Sequence, residues 1–481
     1  MNLEQIFYAL IIIGILLIAG KIIRRKFEIF QKLFIPASII AGFIGLILGH
    51  QVLGNGLQLI IKQEHWLWQG LFPQSILDVW SGLPGLLISV VFAALFLGKK
   101  IPPVKEIWHK AGPMVAHGQT MAWGQYVIGI SLALFLLTPV WGISPLSGAL
   151  IEISFEGGHG TAAGLADTFK ELGFADGADL ALALATVGVV MGTLLGILLI
   201  NWGVRTGRIN PPDKTSSQDM EELADHDERE TQNLDIDKFS AMTEPLSLHL
   251  ALVGAAIGFG WLLHQGLMIL ERMAFGGSDF ELMRHVPLFP LAMIGGVLIQ
   301  IFLDKVHYSK YIDRKLINRI SGAALDILIV SALATLSLMA IGENIYPFLI
   351  IAAAGIAWNL FGFIVLAPLM FPRNSFAMGM GNFGQCMGMT VIGLLLMRIV
   401  DPDNKTGAME SFGYKQLMFE PVVGGGLFTA ASLPLIYQFG PAPILAGTSV
   451  LALAWLIFGL IYFGPQKNSK KMQNTEEDAA Q

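Results

Sequence analysis

The feature that most restricts how this chain can fold is the recurrence of long apolar segments along its 481 residues. After an apolar stretch at 3–20, further segments fall at about 35–53, 84–98, 113–138, 145–164, 180–203, 246–270, 286–303, 320–341, 345–371, 375–397, 416–438 and 441–464. A helix of about 20 apolar residues is long enough to cross the hydrocarbon core of a bilayer. Only helices and closed barrels satisfy their backbone polar groups there. The pattern therefore predicts an all-α polytopic membrane protein.

The low charge content supports this class and excludes several others. Charged residues make up only 14% of the chain, whereas soluble domains carry about 25%. A net charge of −6 offers no basic surface for nucleic-acid phosphates. The single cysteine, Cys386, excludes a disulfide framework and a Cys-ligated metal site. We therefore expect neither a soluble enzyme, nor a disordered regulator, nor a nucleic-acid binder.

The distribution of basic residues predicts the topology. The first apolar stretch is followed by four basic residues between Lys21 and Lys26, so we interpret it as a retained helix with its N-terminus outside, not as a signal peptide. If every segment crossed the membrane, the basic loops would fall on inconsistent sides. If 145–164 and 375–397 are instead re-entrant hairpins, only Lys62, Lys170, Arg272 and Arg284 lie outside, as the positive-inside rule requires. The C-terminus and a loop at 398–415 are then cytoplasmic.

Weak internal repeats divide the chain into two halves. Pro36-x3-Ile40-Ala41-Gly42 is matched by Pro290-x3-Ile294-Gly295-Gly296, and Val187-Gly188-x4-Thr193 by Val423-Gly424-x4-Thr429. Each half contains five crossings and one hairpin, and an odd number of crossings requires that the two repeats have opposite orientations. We predict a first repeat at 1–204, an acidic cytoplasmic linker at 205–245, and an inverted second repeat at 246–440. An extra C-terminal transmembrane helix at 441–464 and a cytoplasmic tail at 465–481 follow.

Inverted repeats with discontinuous membrane segments are typical of secondary transporters, whose sites lie where the broken helices expose backbone groups. An ion channel with re-entrant loops is the main alternative. Channels usually use one filter per subunit around a central pore, and two opposed hairpins in one chain favour a transporter. A membrane-embedded enzyme would need a nucleophile or metal cluster that the sequence does not show.

The first hairpin carries a glycine-rich run with ionisable neighbours. It reads Ile153-Ser154-Phe155-Glu156-Gly157-Gly158-His159-Gly160-Thr161. Glycines allow a sharp turn and a close approach to a ligand, and ionisable residues at membrane depth usually mark pathways or sites. The alternative is a hairpin tip whose glutamate pairs with a backbone donor.

The second hairpin contains Gly379-Met380-Gly381-Asn382-Phe383-Gly384-Gln385, followed by Cys386 to Thr390. Its G-x-G-x-x-G spacing is not a dinucleotide fingerprint, because that motif requires a preceding strand and a βαβ unit. Asn382, Gln385 and Thr390 are the polar candidates for ligand contact, and the methionines are candidates for packing.

Two further carboxylates leave alternatives open. Asp326 lies six residues into the segment 320–341 and is a candidate for a cation or proton role, or else lies near the cytoplasmic interface. Glu420 beside Pro421 is similarly ambiguous.

Gly157-Gly158-His159-Gly160-Thr161 resembles the first glycine-rich motif of the bacterial sodium:glutamate symporter family, and Gly384-x3-Gly388-x-Thr390 is similar to its second. The resemblance spans nearly the whole chain. It implies Na⁺-coupled uptake of L-glutamate at the plasma membrane by a homodimer, with a transport domain that moves against a scaffold. The chain differs from the family pattern at Glu156, where a small hydroxyl residue is common, and at Val391, where proline is common.

Taken together, the sequence predicts a transporter, not an enzyme, that needs no cofactor beyond Na⁺ as the coupling ion. Its partners would be L-glutamate or a related solute, Na⁺ and the lipid bilayer, with no nucleic acid. The alternative is a cation- or proton-coupled transporter of a different solute. The predicted substrate-binding residues are Gly157, Gly158, His159, Gly160, Thr161, Gly381, Asn382, Phe383, Gly384, Gln385 and Thr390, and the predicted Na⁺ ligands are Ser154, Glu156 and Asp326.

Overall fold

The computed structural model describes residues 2–60, 66–209, 245–275, 282–402 and 405–464, and every regular element in these ranges is a helix. The predicted linker at 205–245 lies almost entirely outside the described residues, and the predicted tail at 465–481 lies wholly outside them.

The α-helices are numbered in chain order. Those of the first half are α1 (Leu3–Lys26), α2 (Glu28–Lys32), α3 (Ala37–Leu48), α4 (Asn55–Ile60), α5 (Gln74–Ala94), α6 (Val104–Leu132), α7 (Thr138–Trp141), α8 (Leu150–Phe155), α9 (Gly158–Gly164), α10 (Ala166–Glu171) and α11 (Gly177–Arg205). Those of the second half are α12 (Pro245–Phe275), α13 (Leu288–Lys305), α14 (Arg314–Ala334), α15 (Leu338–Glu343), α16 (Ile345–Phe361), α17 (Ala367–Met370), α18 (Ser375–Val400), α19 (Ala408–Phe419), α20 (Leu427–Phe439) and α21 (Pro441–Phe463). Short 3₁₀ or π-helical turns lie at His50–Gly54, Trp66–Gln69, Ala133–Leu137, Pro145–Ala149, Met283–His285, Ser309–Tyr311 and Gly362–Leu366.

Within the described residues, 11 helical segments are long and apolar enough to cross a membrane. They are Leu3–Lys26, Ala37–Gln58, Gln74–Ala94, Val104–Trp141, Gly177–Arg205, Pro245–Phe275, Leu288–Lys305, Arg314–Ala334, Ile345–Met370, Ser375–Val400 and Pro441–Phe463. The prediction of an all-α protein with many apolar helices is confirmed.

Two helices begin nine or ten residues earlier than the sequence predicted, and α14 begins at Arg314, six residues earlier. The segments predicted at 84–98 and 113–138 begin at Gln74 and Val104, so Pro84 and Pro113 lie inside helices. The first turns of these helices contain polar residues such as Asp78, Lys105 and Glu106, so they lie outside the apolar windows, and proline disfavours a helix interior in water. Inside a membrane protein, neighbouring helices satisfy the backbone groups that proline frees.

The segment predicted at 416–438 is not one continuous helix. The chain instead forms α19 and α20, separated by an irregular stretch that contains Pro421. Gly424 and Gly425 there have φ values of 71° and 100°, a region that L side chains rarely adopt. Proline also removes a backbone donor, so this stretch cannot continue the helix.

The chain divides into two compact units, each of which takes segments from both halves of the sequence. The first unit contains the described residues up to 101, 159–182 and 245–343. Here α1 packs on α3, and α12 packs on α13 in the same way. Helix α3 packs on α14, and α13 correspondingly packs on α5. Helices α5 and α14 pack on each other. One apolar core is built around Trp80, whose indole N–H donates to the carbonyl of Ala9 at 3.1 Å.

The second unit contains the described residues of 102–158, 183–209 and 344–464. Helix α6 is its central element, against which α16, α18, α19 and α21 pack. It also contains the buried glutamates and the buried lysine of the described chain, Glu152, Glu156 and Lys415.

In the first unit, Arg314 at the start of α14 closes the C-terminal end of α5. Its Nη1 donates to the carbonyls of Ala94 at 2.7 Å and Leu97 at 2.6 Å, and its Nη2 donates to that of Leu95 at 3.2 Å. The last carbonyls of a helix have no partner within the helix, and a cation also interacts favourably with this end of the helix dipole. One side chain therefore joins two helices that are far apart in sequence.

Replacing Arg314 with methionine is expected to destabilise the protein by about 2 kcal/mol, because each hydrogen bond to a charged donor contributes about 1.5–3 kcal/mol and surrounding water recovers part of the loss. The apparent melting temperature of the purified protein in detergent should fall by about 2–4 °C per kcal/mol. Arg319→Met, at an exposed position of the same helix, is the control and should melt with the wild type. Equal melting temperatures for both variants would contradict the role of Arg314.

Candidate functional site

Helix α18 contains a break at which the chain reverses. Gly388 (φ −148°, ψ 44°) and Met389 (φ 65°, ψ 177°) are non-helical. A Cβ atom placed on Gly384 would lie 2.7 Å from the Cα of Gly393, although nine residues of straight helix span about 13 Å. The segments before and after the break are therefore two arms that lie side by side.

The residues predicted from the second glycine-rich run lie on this element. Gly381, Asn382, Phe383, Gly384 and Gln385 are all buried on the first arm. Their backbone amides belong to a continuous helical turn, where N–H groups bond to carbonyls four residues earlier. The arm therefore offers a ligand the side chains of Asn382, Phe383 and Gln385, and not free backbone amides. Thr390 follows the break directly.

The first glycine-rich run forms a second break. Helix α8 ends at Phe155 and α9 begins at Gly158, which has φ 70°. A Cβ on Gly158 would overlap the side chain of Met389, and a Cβ on Gly188 of α11 would overlap the carbonyl of Met387. The two breaks therefore contact each other within the second unit.

The remaining predicted residues fall in the first unit, because the boundary between the units lies between Gly158 and His159. His159 and Thr161 are buried, and a Cβ on Gly160 would lie 3.3 Å from Ile88 and from Leu325. Asp326 is exposed on α14. Of the three predicted Na⁺ ligands, the second unit contains Ser154 and Glu156.

Glu152 of α8 is held by donors from three other parts of the second unit: α6, α20 and the irregular stretch before α20. Its Oε1 accepts from the N–H of Gly424 at 2.7 Å and from the hydroxyl of Thr429 at 2.8 Å. Its Oε2 accepts from the Tyr126 hydroxyl. Both carboxylate oxygens of this buried side chain are thus satisfied, as a buried carboxylate requires. Glu152 joins the first break to the irregular stretch that precedes α20.

The side-chain oxygens of Glu156 and Ser154, in contrast, lack hydrogen-bond partners among the described residues. Glu156 is only 3% exposed, yet neither of its carboxylate oxygens has a hydrogen-bond partner among the described residues. The hydroxyl of Ser154, which is 1% exposed, has none either. Buried polar groups without partners are costly and unusual. Three unpaired acceptor oxygens beside a chain break are suited to receive a cation.

Lys415 of α19 lies in the same core. It is fully buried, and its ammonium donates to Asn382 Oδ1 at 2.9 Å and to Gln385 Oε1 at 2.6 Å. The amide group of Asn382 in turn donates to the carbonyl of Met114 at 3.1 Å and lies 3.0 Å from Nδ1 of His117. These contacts fix the two polar side chains of the first arm.

A second polar cluster holds the end of that arm. Gln125 of α6 donates to the carbonyl of Cys386 at 2.9 Å and to Asn359 Oδ1 at 3.1 Å, and Asn359 of α16 donates to the same carbonyl at 2.7 Å. The carbonyls just before a helix break lack their usual partners, and these two amides supply donors for one of them.

Thr390, after the break, contacts α19 and the irregular stretch. Its hydroxyl donates to Glu420 Oε1 at 3.1 Å and accepts from Gln416 Nε2 at 2.6 Å. Of the predicted polar residues, Asn382, Gln385 and Thr390 are therefore all tied to α19 or its C-terminal end.

Three polar residues of this core, Lys415, Gln125 and Asn359, are not predicted from the sequence. Lys415 was assigned to a cytoplasmic loop at 398–415, because basic residues were counted as loop residues, and the structure places it in the core. Its position between Phe412 and Phe419 at helical spacing was the available signal. Gln125 and Asn359 are isolated amides within long apolar segments, and such residues in membrane helices usually hydrogen-bond across to a neighbour.

Comparison with known proteins gives a match along most of the chain. A family model described as Sodium/glutamate symporter matches residues 2–402, which include both breaks. The chain is similar to a sodium/glutamate symporter of Escherichia coli (strain K12), at 23% identity over 438 residues that cover 90% of this chain and 96% of that protein. A protein of the same name from Shigella flexneri gives the same values. One from Haemophilus influenzae is 29% identical over 222 residues, 44% of this chain and 48% of that protein.

Proposed function

Because this chain belongs to the sodium/glutamate symporter family, we propose that it carries L-glutamate or a closely related solute, together with Na⁺, across the plasma membrane. Proteins of this family are transporters and not enzymes. The observation that best supports coupling to a cation is the buried, unpaired carboxylate of Glu156 beside the two chain breaks.

The Na⁺ ion is proposed to bind at the first break, with Glu156 supplying charge and Ser154 supplying a hydroxyl oxygen. Both side chains are buried, and their oxygens have no partner among the described residues. Hard cations bind oxygen ligands, and unwound backbone at such breaks adds carbonyl oxygens. Asp326 lies in the other unit and stays a separate prediction.

The substrate is proposed to bind beside the second break, where Asn382, Gln385 and Thr390 supply polar side chains. Gly157 and Gly158 lie in the turn of the first break, where Met389 packs against Gly158 and the N–H of Gly157 donates to the carbonyl of Glu152 at 3.0 Å; their backbone contacts to substrate are predicted from the sequence alone. His159, Gly160 and Thr161, in the first unit, stay part of the prediction made from the sequence. Gly381, Phe383 and Gly384 serve the packing of the arm.

The two predicted inverted repeats are supported by the packing of the first unit. Helices α1, α3 and α5 make the same set of pairings as α12, α13 and α14, with α5 and α14 in contact. We propose an elevator-type movement in which the second unit, which holds both breaks, moves and the first serves as the scaffold. We also propose the homodimer, the outside N-terminus and the cytoplasmic C-terminus, as the family resemblance and the positive-inside rule imply.

The test is uptake of radiolabelled L-glutamate into liposomes that contain the purified protein. We expect uptake with an inward Na⁺ gradient and none when choline replaces Na⁺. Uptake of equal size in choline would refute Na⁺ coupling. If Na⁺ drives another amino acid instead of glutamate, the coupling stands and the substrate assignment fails.

Glu156→Gln is expected to raise the Na⁺ concentration for half-maximal uptake by at least about tenfold, a loss of roughly 1.4 kcal/mol of binding free energy. The neutral amide keeps the volume but removes the charge that attracts the ion in a medium of low dielectric constant. Glu106→Gln makes the same chemical change at a partly exposed position of the second unit and should leave the Na⁺ dependence unaltered. An unchanged Na⁺ dependence in Glu156→Gln would remove this ligand role.

A further inference from the structure

Lys415 is the only lysine or arginine that is buried among the described residues. The ammonium makes its direct contacts with neutral groups: the amide oxygens of Asn382 and Gln385, and the ring of Phe419, whose centroid lies 3.9 Å away. It forms no ion pair with any described carboxylate. Burying a charge is costly unless it is well coordinated, so this surrounding must be specific for a cation.

The three N–H donors of the ammonium are accounted for by these neighbours. Two donate to the amide oxygens, and the face of Phe419 takes the remaining direction as a cation–π contact. Two of the three donors are thus committed to side chains of the first arm. The ammonium therefore acts first on that arm.

The Lys415 side chain packs closely against α6. A Cβ atom placed on Gly118 of α6 would lie 2.5 Å from Lys415 Cε and 2.9 Å from Nζ. The absence of a side chain at Gly118 is what lets the ammonium reach its position. The lysine stem is thus a fixed tether that delivers one positive charge to one point.

We propose that the Lys415 ammonium is a built-in monovalent cation: it occupies a cation site formed by Asn382 Oδ1, Gln385 Oε1 and the Phe419 ring, in place of a free ion. Amide oxygens and an aromatic face are ligands that an alkali-metal ion and an alkylammonium share. Because Asn382 and Gln385 belong to the arm before the break, the tethered charge holds this arm ready for a ligand without loading an ion there.

The electrostatic surroundings agree with this assignment. The titratable groups of the second unit whose charges interact with the ammonium are Glu156, Cys386, Glu420 and His117. The fixed cation therefore supplies one positive charge near Glu156 and Glu420. The proposal thus deepens the proposed function, on which it rests, by limiting the number of Na⁺ ions that the second unit loads.

The test compares two neutral variants of the full-length protein. Lys415→Ala removes the charge and vacates the space, whereas Lys415→Met removes the charge and fills the space. We expect equilibrium binding of ²²Na⁺ to the purified protein to show about one additional Na⁺ per chain in Lys415→Ala and no additional Na⁺ in Lys415→Met. An equal number of bound Na⁺ ions in Lys415→Ala and the wild type would overturn the proposal, as would an equal gain in both variants.

A second measurement tests the proposal when a variant is too unstable for the binding experiment. The melting temperature of each protein is compared in NaCl and in choline chloride, since an ion that binds the native state stabilises it. Na⁺ should raise the melting temperature of Lys415→Ala more than that of the wild type or of Lys415→Met, and an equal rise would overturn the proposal. Lys415→Ser, which adds a hydroxyl ligand, is the replacement should the alanine variant not be obtained folded.

Failure of the proposed function would look different. If the wild-type protein binds no Na⁺ while Lys415→Ala binds about one ion per chain, the proposed cation site is supported and Na⁺ coupling of the native chain is refuted. If the wild type binds Na⁺ and the alanine variant gains none, Na⁺ coupling stands and the tethered-cation site falls.

Discussion

Glu152→Leu is expected to lower the free energy of unfolding of the protein by about 3 kcal/mol or more. The change strands the Tyr126 hydroxyl, the Gly424 N–H and the Thr429 hydroxyl, which now donate to one carboxylate. A hydrogen bond between membrane helices contributes on average only about 0.6 kcal/mol net. A buried donor left without an acceptor costs about 1–3 kcal/mol, so the stranded groups decide the outcome.

Two matched variants are expected to show smaller losses of stability. Tyr126→Phe removes one of the three donors and should cost about 1 kcal/mol, and Glu152→Gln keeps an acceptor oxygen and should fall between the other two. Thermal unfolding of the purified proteins in detergent should place the melting temperatures in the order wild type, Tyr126→Phe, Glu152→Gln, Glu152→Leu. If Glu152→Leu melts together with Tyr126→Phe, the carboxylate does not join these elements as the distances indicate.

Gly384→Val is expected to reduce glutamate uptake by about 100-fold while the protein still inserts into the membrane. A Cβ at this position would lie 2.7 Å from both the N and the Cα of Gly393, and 2.8 Å from the carbonyl carbon of Ile392. These are backbone atoms, which cannot rotate away as a side chain can, so the two arms of α18 must separate. Asn382 and Gln385 would move with the first arm, and a displacement of about 1 Å in a positioned group can cost about 100-fold in rate.

The control is Gly413→Ala on α19, where an added Cβ would meet nothing within 4 Å. That change should be neutral or stabilise the helix by up to about 1 kcal/mol, because alanine favours a helix more than glycine does. Uptake by Gly384→Val at the wild-type rate, in protein shown to be folded, would contradict the close approach of the two arms.

The sequence predicted the class of the protein and several of its polar residues, because those properties follow from local patterns. Apolar segments of sufficient length identify membrane helices whatever they pack against. Asn382, Gln385 and Thr390 were recognisable because uncharged polar residues among glycines are rare in a membrane segment. The structure brings all three into contact with α19 or the residues just after it.

The features that the sequence did not predict depend on contacts between residues far apart in the chain. Glu152 is satisfied by Gly424 and Thr429, 272 and 277 positions later, and no local pattern connects them. Lys415 was placed in a loop because the positive-inside rule counts charges without asking what they contact. The division into two units was likewise hidden, since each unit collects segments from both repeats.

The long separation between Glu152 and Thr429 has a consequence for biosynthesis. Ribosomes add about 5–20 residues per second, so roughly 15–55 s pass between the synthesis of the carboxylate and that of its hydroxyl partner 277 residues later. During that interval the Glu152 carboxylate has only the Tyr126 hydroxyl to accept from, and a polar group that lacks most of its partners is costly in hydrocarbon. The nascent first half must therefore keep α8 in contact with water or with the insertion machinery until the last helices emerge. Truncation before Thr429 should accordingly yield a chain that quality-control proteases remove.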